Sequence, residues 1–214
     1  MKPYYIYIIS IILCLTSCKN HSEEWEKLQD VETYIEEQPD SALSILQSIN
    51  SDNLINLKEK AKYALLLSMA LDKNYIDHTD FEVLQPAINY YRNHGTTTEK
   101  LRALYYEGRI YTNQGDNVSA IIRFNRALIQ GTTSNDIRTK ARTHVAQAKI
   151  YKDLYQFDKY VQQNKQAAEL FKKTELTNSY ANCIIRIING YILLKDKENT
   201  QKYIKICKSL LPSL

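Results

Sequence analysis

The chain has 214 residues, 44% of them hydrophobic, with 28 basic and 24 acidic side chains and a formal charge of +4. This length allows one domain with a real core or a short array of repeats, and five glycines with four prolines are too few turn residues for a strand-rich body. The charges are spread along the chain instead of gathered in one segment, which excludes a nucleic-acid partner.

The first element is a processing signal. Lys2 supplies a positive start, and Tyr4 to Leu15 (YYIYIISIILCL) is an apolar stretch too short to cross a hydrocarbon layer of about 30 Å comfortably as a helix. It ends in Leu15-Thr16-Ser17-Cys18, which resembles the bacterial lipobox. That resemblance implies a signal peptide over residues 1–17, lipidation of Cys18, a tether over 18–23 and a helical-repeat domain over 24–214. Acyl chains at about 0.8 kcal/mol per buried CH₂ would hold such a protein at a membrane. Lys19 is not the aspartate that retains some lipoproteins in the inner membrane, so the same resemblance places the protein in the cell envelope as an outer-membrane lipoprotein.

Beyond the tether, apolar residues recur at helical spacing in pairs of segments. Trp25 to Ile35 and Pro39 to Ile49 form a first, irregular pair; Asp40 after Pro39 reads as a helix start, although Asp40-Ser41-Ala42 also resembles a short glycosylation motif. A period of 40 then brings Ala87, Ala127, Ala167 and Cys207 into one column and Leu71, Tyr111, Tyr151 and Tyr191 into another. Ser68, Gly108 and Ala148 share a column that Ile188 breaks, and Leu84, Phe124 and Ile204 share one in which Asn164 is the exception. Pro86 falls inside a helical segment, so a kink or a helix restarting there is expected. Thr96 to Glu99 offers a capping box and Gly115 a left-handed helix end. A glycine in mid-helix costs about 1 kcal/mol relative to alanine, so Gly108 implies a close helix contact, with Tyr111 and Phe124 as the neighbouring knobs.

Leu104, Gly108, Tyr111, Gly115, Ala120, Phe124 and Ala127 resemble the tetratricopeptide repeat at its diagnostic spacing, with Glu107 in place of the usual aliphatic residue. Ala141 to Lys173 and Ala181 to Pro212 are weaker copies, and Ala61 to Asn93 is weaker still. The resemblance implies an all-α, right-handed α-solenoid of about five antiparallel helix pairs. PDSALSIL, AKYALLLSMALDKNYID and YYRNHG resemble, more specifically, helical-repeat lipoproteins of Gram-negative, Bacteroidetes-type bacteria.

In that family the ligand lies in a concave groove lined by the first helix of each pair. Carried onto matching positions, the groove comprises Lys62, Leu65, Met69, Asp72 and Lys73, then Arg102, Tyr105, Arg109, Thr112 and Asn113, then Arg142, Val145, Lys149, Lys152 and Asp153. The fourth unit contributes Asn182, Ile185, Asn189, Ile192 and Leu193. The wall is expected to be basic in the middle and apolar towards the C-terminus, fitting an acidic protein or peptide partner in a non-enzymatic binding or assembly scaffold. A glycan-binding lipoprotein is the alternative, with Trp25 the one tryptophan available for sugar stacking. The four histidines are scattered, without HExxH or a zinc-ligand cluster, and neither a phosphate loop nor a GxSxG elbow occurs. Neither cofactor nor metal is expected, and His144 is read as a seam residue. Cys183 and Cys207 face an oxidising compartment, and their pairing stays open. The apolar face of Tyr203 to Leu211 suggests a homo-oligomer or a docked partner through the last helix.

Overall fold

The computed structural model describes residues 22–174 and 176–210. The signal segment, Cys18, His21 and Pro212 lie outside these residues. Among the described residues there are ten α-helices and no strand, stacked as a TPR-like right-handed solenoid of five antiparallel pairs. The first helices of the pairs are α1 (Glu23–Tyr34), α3 (Leu57–Lys73), α5 (Thr97–Asn113), α7 (Ile137–Asp153) and α9 (Thr177–Leu193). The second helices are α2 (Pro39–Ser48), α4 (Gln85–Tyr91), α6 (Asn117–Gln130), α8 (Phe157–Phe171) and α10 (Lys197–Leu210). No helix of the described residues is long and apolar enough to cross a membrane.

The repeat is regular at its ends as well as in its core. Helices α3, α5, α7 and α9 each run 17 residues and begin 40 apart. The first three are capped at the same phase by Asn56, Thr96 and Asp136, whose side chains accept from the backbone amides of Glu59, Glu99 and Thr139. Thr96 and Glu99 complete a reciprocal box. The left-handed residue after each helix also recurs, at Tyr75, Gly115, Tyr155 and Lys195, with φ of 57° to 80°. Only one of these four is a glycine, so the sequence showed this turn once and the fold uses it four times.

Close packing explains the small residues. An added Cβ at Gly108 would sit 2.5 Å from Phe124 Cε1, and Phe124, Ala120 and Ala127 are fully buried. Phe124 lies against Tyr105 and Gly108, filling the seam between α5 and α6. Where Ile188 breaks the glycine column, Gly190 makes a close approach instead, to Val161 and Tyr160 of the preceding helix α8. Asn164, the polar exception in the Phe124 column, is fully buried and donates Nδ2 to the Tyr160 carbonyl at 2.8 Å.

The pair of α3 and α4 departs from the period. By phase its second helix would start at position 77, yet α4 begins at Gln85, with Pro86 in its first turn, and runs only seven residues. Proline lacks the N–H a helix interior needs but suits a first turn. The helix therefore restarts at Pro86, one of the two outcomes expected, and residues 76–84 cross over α3 and α5 as a loop. Cys183 and Cys207 are both free. Burial pushes the Cys183 thiol up to about 11.

Candidate functional site

The concave side of α3, α5, α7 and α9 encloses a groove with a cavity volume of about 810 Å³. Tyr105, Arg109, Arg142, Lys149 and Lys152 line it, together with Lys73 and Asp72. Tyr105 is buried in the floor, and that burial raises its hydroxyl to about 12. Lys62, Arg102 and Asn113 are not among the lining residues.

Charge in the groove is organised by carboxylates, chief among them Glu36, which lies outside the first helices from which the groove was read. Glu36, in the turn between α1 and α2, accepts from Lys73 Nζ at 2.7 Å and from Arg138 Nη1 at 2.9 Å. Arg142 grips the same carboxylate with both terminal nitrogens, at 3.1 Å and 3.0 Å. Burial pushes the Glu36 carboxyl up, but Arg142, Lys73 and Arg138 together outweigh it and hold it down at about 2. Arg138 also meets Glu37. Arg109 pairs with Asp72 at 2.8 Å. Arg102 is shared between Asp136, at 2.6 Å, and Glu32, and Glu32 also pairs with Lys62. The first pair of helices therefore reaches across to the third unit and neutralises the N-terminal part of the groove from within. Glu36 and Arg142 are 106 positions apart; no local pattern in the sequence signals their meeting.

Asn113 has a different task. Its amide donates to the His78 carbonyl at 2.9 Å, and Gln114 donates to Thr79 O at 2.6 Å, tying down the crossing loop that replaces the start of α4. His144 packs in the seam between α7 and α8, its Nδ1 donating to Gln163 Oε1 at 2.7 Å. Burial lowers the pKa of its ring.

The fourth unit turns a different face to the cavity from the one carried over by resemblance. Asn182 and Asn189 line it as expected, but Ser179 and Arg186 complete the wall. Ile185, Ile192 and Leu193 do not line it and are 43% to 56% exposed elsewhere on α9. The C-terminal end of the cavity is thus polar and basic where an apolar surface was expected. Lys149, Lys152 and Arg186 carry no ion pair among the described residues; Lys152 stands over the Tyr160 ring at 6.0 Å. Overall six cations on the cavity wall face two carboxylates, Glu36 and Asp72, and the surplus lies on α7 and α9. Arg186 was missed because its position in the repeat, which Ala146 of α7 also brings to the cavity wall, was not among the positions carried over.

Helix pairs of this geometry define the class of TPR-like α-solenoid proteins, and comparison with solved structures agrees. No protein-family model and no curated protein matches the sequence. The structure is similar to the apo form of RapI, with a TM-score of 0.68 and 16% identity over 88% of this chain and 54% of that one. It is similar also to a Rap protein complexed with Competence and Sporulation Factor, with a TM-score of 0.63 and 18% identity over 90% of this chain and 55% of that one. The chain thus spans about half the length of these Rap structures. The nearly identical TPR-like repeats of a Podosopora anserina kinesin light chain match at a TM-score of 0.61 and 13% identity, over 89% of this chain and 95% of that one. At these identities the likeness is one of fold.

Proposed function

We propose that the chain is a membrane-anchored, non-enzymatic binding scaffold of a bacterial cell envelope, whose concave groove takes a carboxylate-rich peptide or extended protein segment. The observation that carries this reading is the division of the groove. Its N-terminal cations Lys73, Arg109 and Arg142 are matched by Glu36 and Asp72, whereas Lys149, Lys152 and Arg186 face the cavity without a carboxylate. Cations converging on a partly desolvated cleft raise the local concentration of anionic ligands and orient them on approach. Asn182 and Asn189 add amide groups that can pair with a peptide backbone. A Rap protein of similar fold is complexed with Competence and Sporulation Factor, which supports a binding use of the fold here. Anchoring rests on the lipobox resemblance at Cys18.

Fluorescence anisotropy with a labelled oligo-glutamate peptide tests the groove. The triple variant Lys149→Ala/Lys152→Ala/Arg186→Ala is expected to weaken binding at least about tenfold, while Arg102→Ala leaves it unchanged. Equal binding of oligo-glutamine, or indifference to the triple variant, refutes the reading. Metabolic labelling with an alkyne fatty acid tests the anchor: label and membrane association should both be lost in Cys18→Ala, and retention of either refutes it. The Trp25 ring, the sugar-stacking candidate of the glycan alternative, has the amines of Lys58 and Lys62 over it, at 5.1 Å and 5.4 Å.

A further inference from the structure

We propose that the side of α5 turned away from the groove holds a second binding site, for a phosphate-bearing ligand, in the gap between the C-terminal end of α4 and the faces of α5 and α6. The site is separate from the concave groove and does not depend on its function. The gap has a cavity volume of about 310 Å³, bounded by the end of α4, the far face of α5 and the face of α6. Positions 100, 103, 104 and 107 of α5 line it, opposite Tyr105 and Arg109 of the groove at 100° per residue.

Three observations converge there. The pocket lies at the C-terminal end of α4, which ends in phase with α6, between that end and the facing sides of α5 and α6. The residue facing this opening is Glu107, where the repeat normally places an aliphatic side chain; its side chain is only 10% exposed. Around it stand Arg92 from the end of α4, Lys100 from α5, and Arg123 and Arg126 from α6. Arg123, Arg126 and Arg92 all act electrostatically on the Glu107 carboxyl. Arg123 is fixed in place, its Nε 2.9 Å from Glu107 Oε1 and its guanidinium over the Tyr111 ring at 5.8 Å. Arg92, Lys100 and Arg126 make no ion pair among the described residues. Four cations from three helices thus meet one carboxylate in a half-open pocket.

That surplus suits a tetrahedral dianion. Guanidinium groups offer forked, planar donors that engage phosphate oxygens in pairs, and three arginines approaching from two helices can address different oxygens of one phosphate. Glu107 then accepts a hydroxyl of the same ligand, while Ile88, Ala103 and Leu104 line the remainder with apolar surface. The ligand class is a hydroxylated phosphomonoester, either a free metabolite or a lipid headgroup.

Isothermal titration of the full chain with glucose 6-phosphate, with glucuronate as a carboxylate control, tests the site. Vesicles of phosphatidylcholine with and without phosphatidic acid form a second arm. The expected result is one-to-one binding of glucose 6-phosphate, weakened about tenfold by Arg126→Ala or Arg92→Ala, as loss of a charge-assisted hydrogen bond requires, and partly restored by Arg126→Lys. Both arginines are exposed, so these variants leave the fold intact. The triple groove variant should bind the phosphate as the parent does. Binding to phosphatidic acid vesicles alone, with the same sensitivity to Arg126, supports the site with a lipid as its source. Absence of saturable binding in both arms, equal binding of glucuronate, or indifference to Arg92 and Arg126 overturns the proposal.

Discussion

Replacing Gly108 by alanine sets two effects of known sign against each other. Helix propensity alone favours alanine by about 1 kcal/mol in a helix interior. Packing opposes it: the new methyl carbon would lie 2.5, 2.7 and 3.0 Å from Phe124 Cε1, Cδ1 and Cζ. The ring cannot swing aside, since Phe124 is fully buried and packed against Tyr105. Overpacking of a filled seam costs about 1–3 kcal/mol, so Gly108→Ala should come out destabilising by up to about 2 kcal/mol despite its better propensity. Urea unfolding followed by circular dichroism measures this. A double-mutant cycle with Phe124→Leu isolates the contact: the smaller side chain makes room, and the coupling energy should be favourable by at least about 0.5 kcal/mol. If Gly108→Ala stabilises the protein by the propensity increment, or the two changes are additive, the close-contact argument for the repeat is wrong.

The Glu36 cluster should make stability depend on pH. Because its folded-state pKa is held down near 2, its contribution is present above the ordinary carboxylate value of about 4.5 and is lost as pH falls from there towards 2. Glu36→Gln should lower stability at neutral pH by on the order of 2–3 kcal/mol and flatten the acid limb of a pH–urea-midpoint profile; an unchanged profile would refute the cluster's role. Tyr155, with a φ of 57° and 81% exposed, should be replaced by glycine with a gain of about 0.5–1 kcal/mol, whereas Gly115→Ala should lose about 1 kcal/mol although its surroundings are open; thermal melts of both variants check the pair. Alkylation followed by peptide mapping should modify Cys207 well before Cys183, because Cys183 is fully buried and its thiol is held high by that burial. Equal rates at the two sites would contradict the packing of α9.

Much of the fold was legible because it rests on local regularities. The period of 40, the Thr96 capping box, the left-handed Gly115 and the restart at Pro86 each depend on residues within one or two turns of one another. The left-handed turns at Tyr75, Tyr155 and Lys195 were hidden because the side chains there give no sign of the conformation. In the site, the helical phase placed Tyr105, Arg109, Arg142, Lys149 and Lys152 on one wall. It could not say which of those cations would remain uncompensated.

The sequence by itself determined that this chain folds into helix pairs and where small and large residues meet between them, because hydrophobic periodicity and backbone propensity act over a few residues. Tertiary structure alone decided that Glu36 reaches Arg142, that α9 brings Arg186 to the cavity, and that the packing of α4, α5 and α6 sets Glu107 among four cations. The physical reason is range: charge complementarity is settled between side chains that superhelical stacking brings together from far along the chain, and no periodicity encodes a single such meeting.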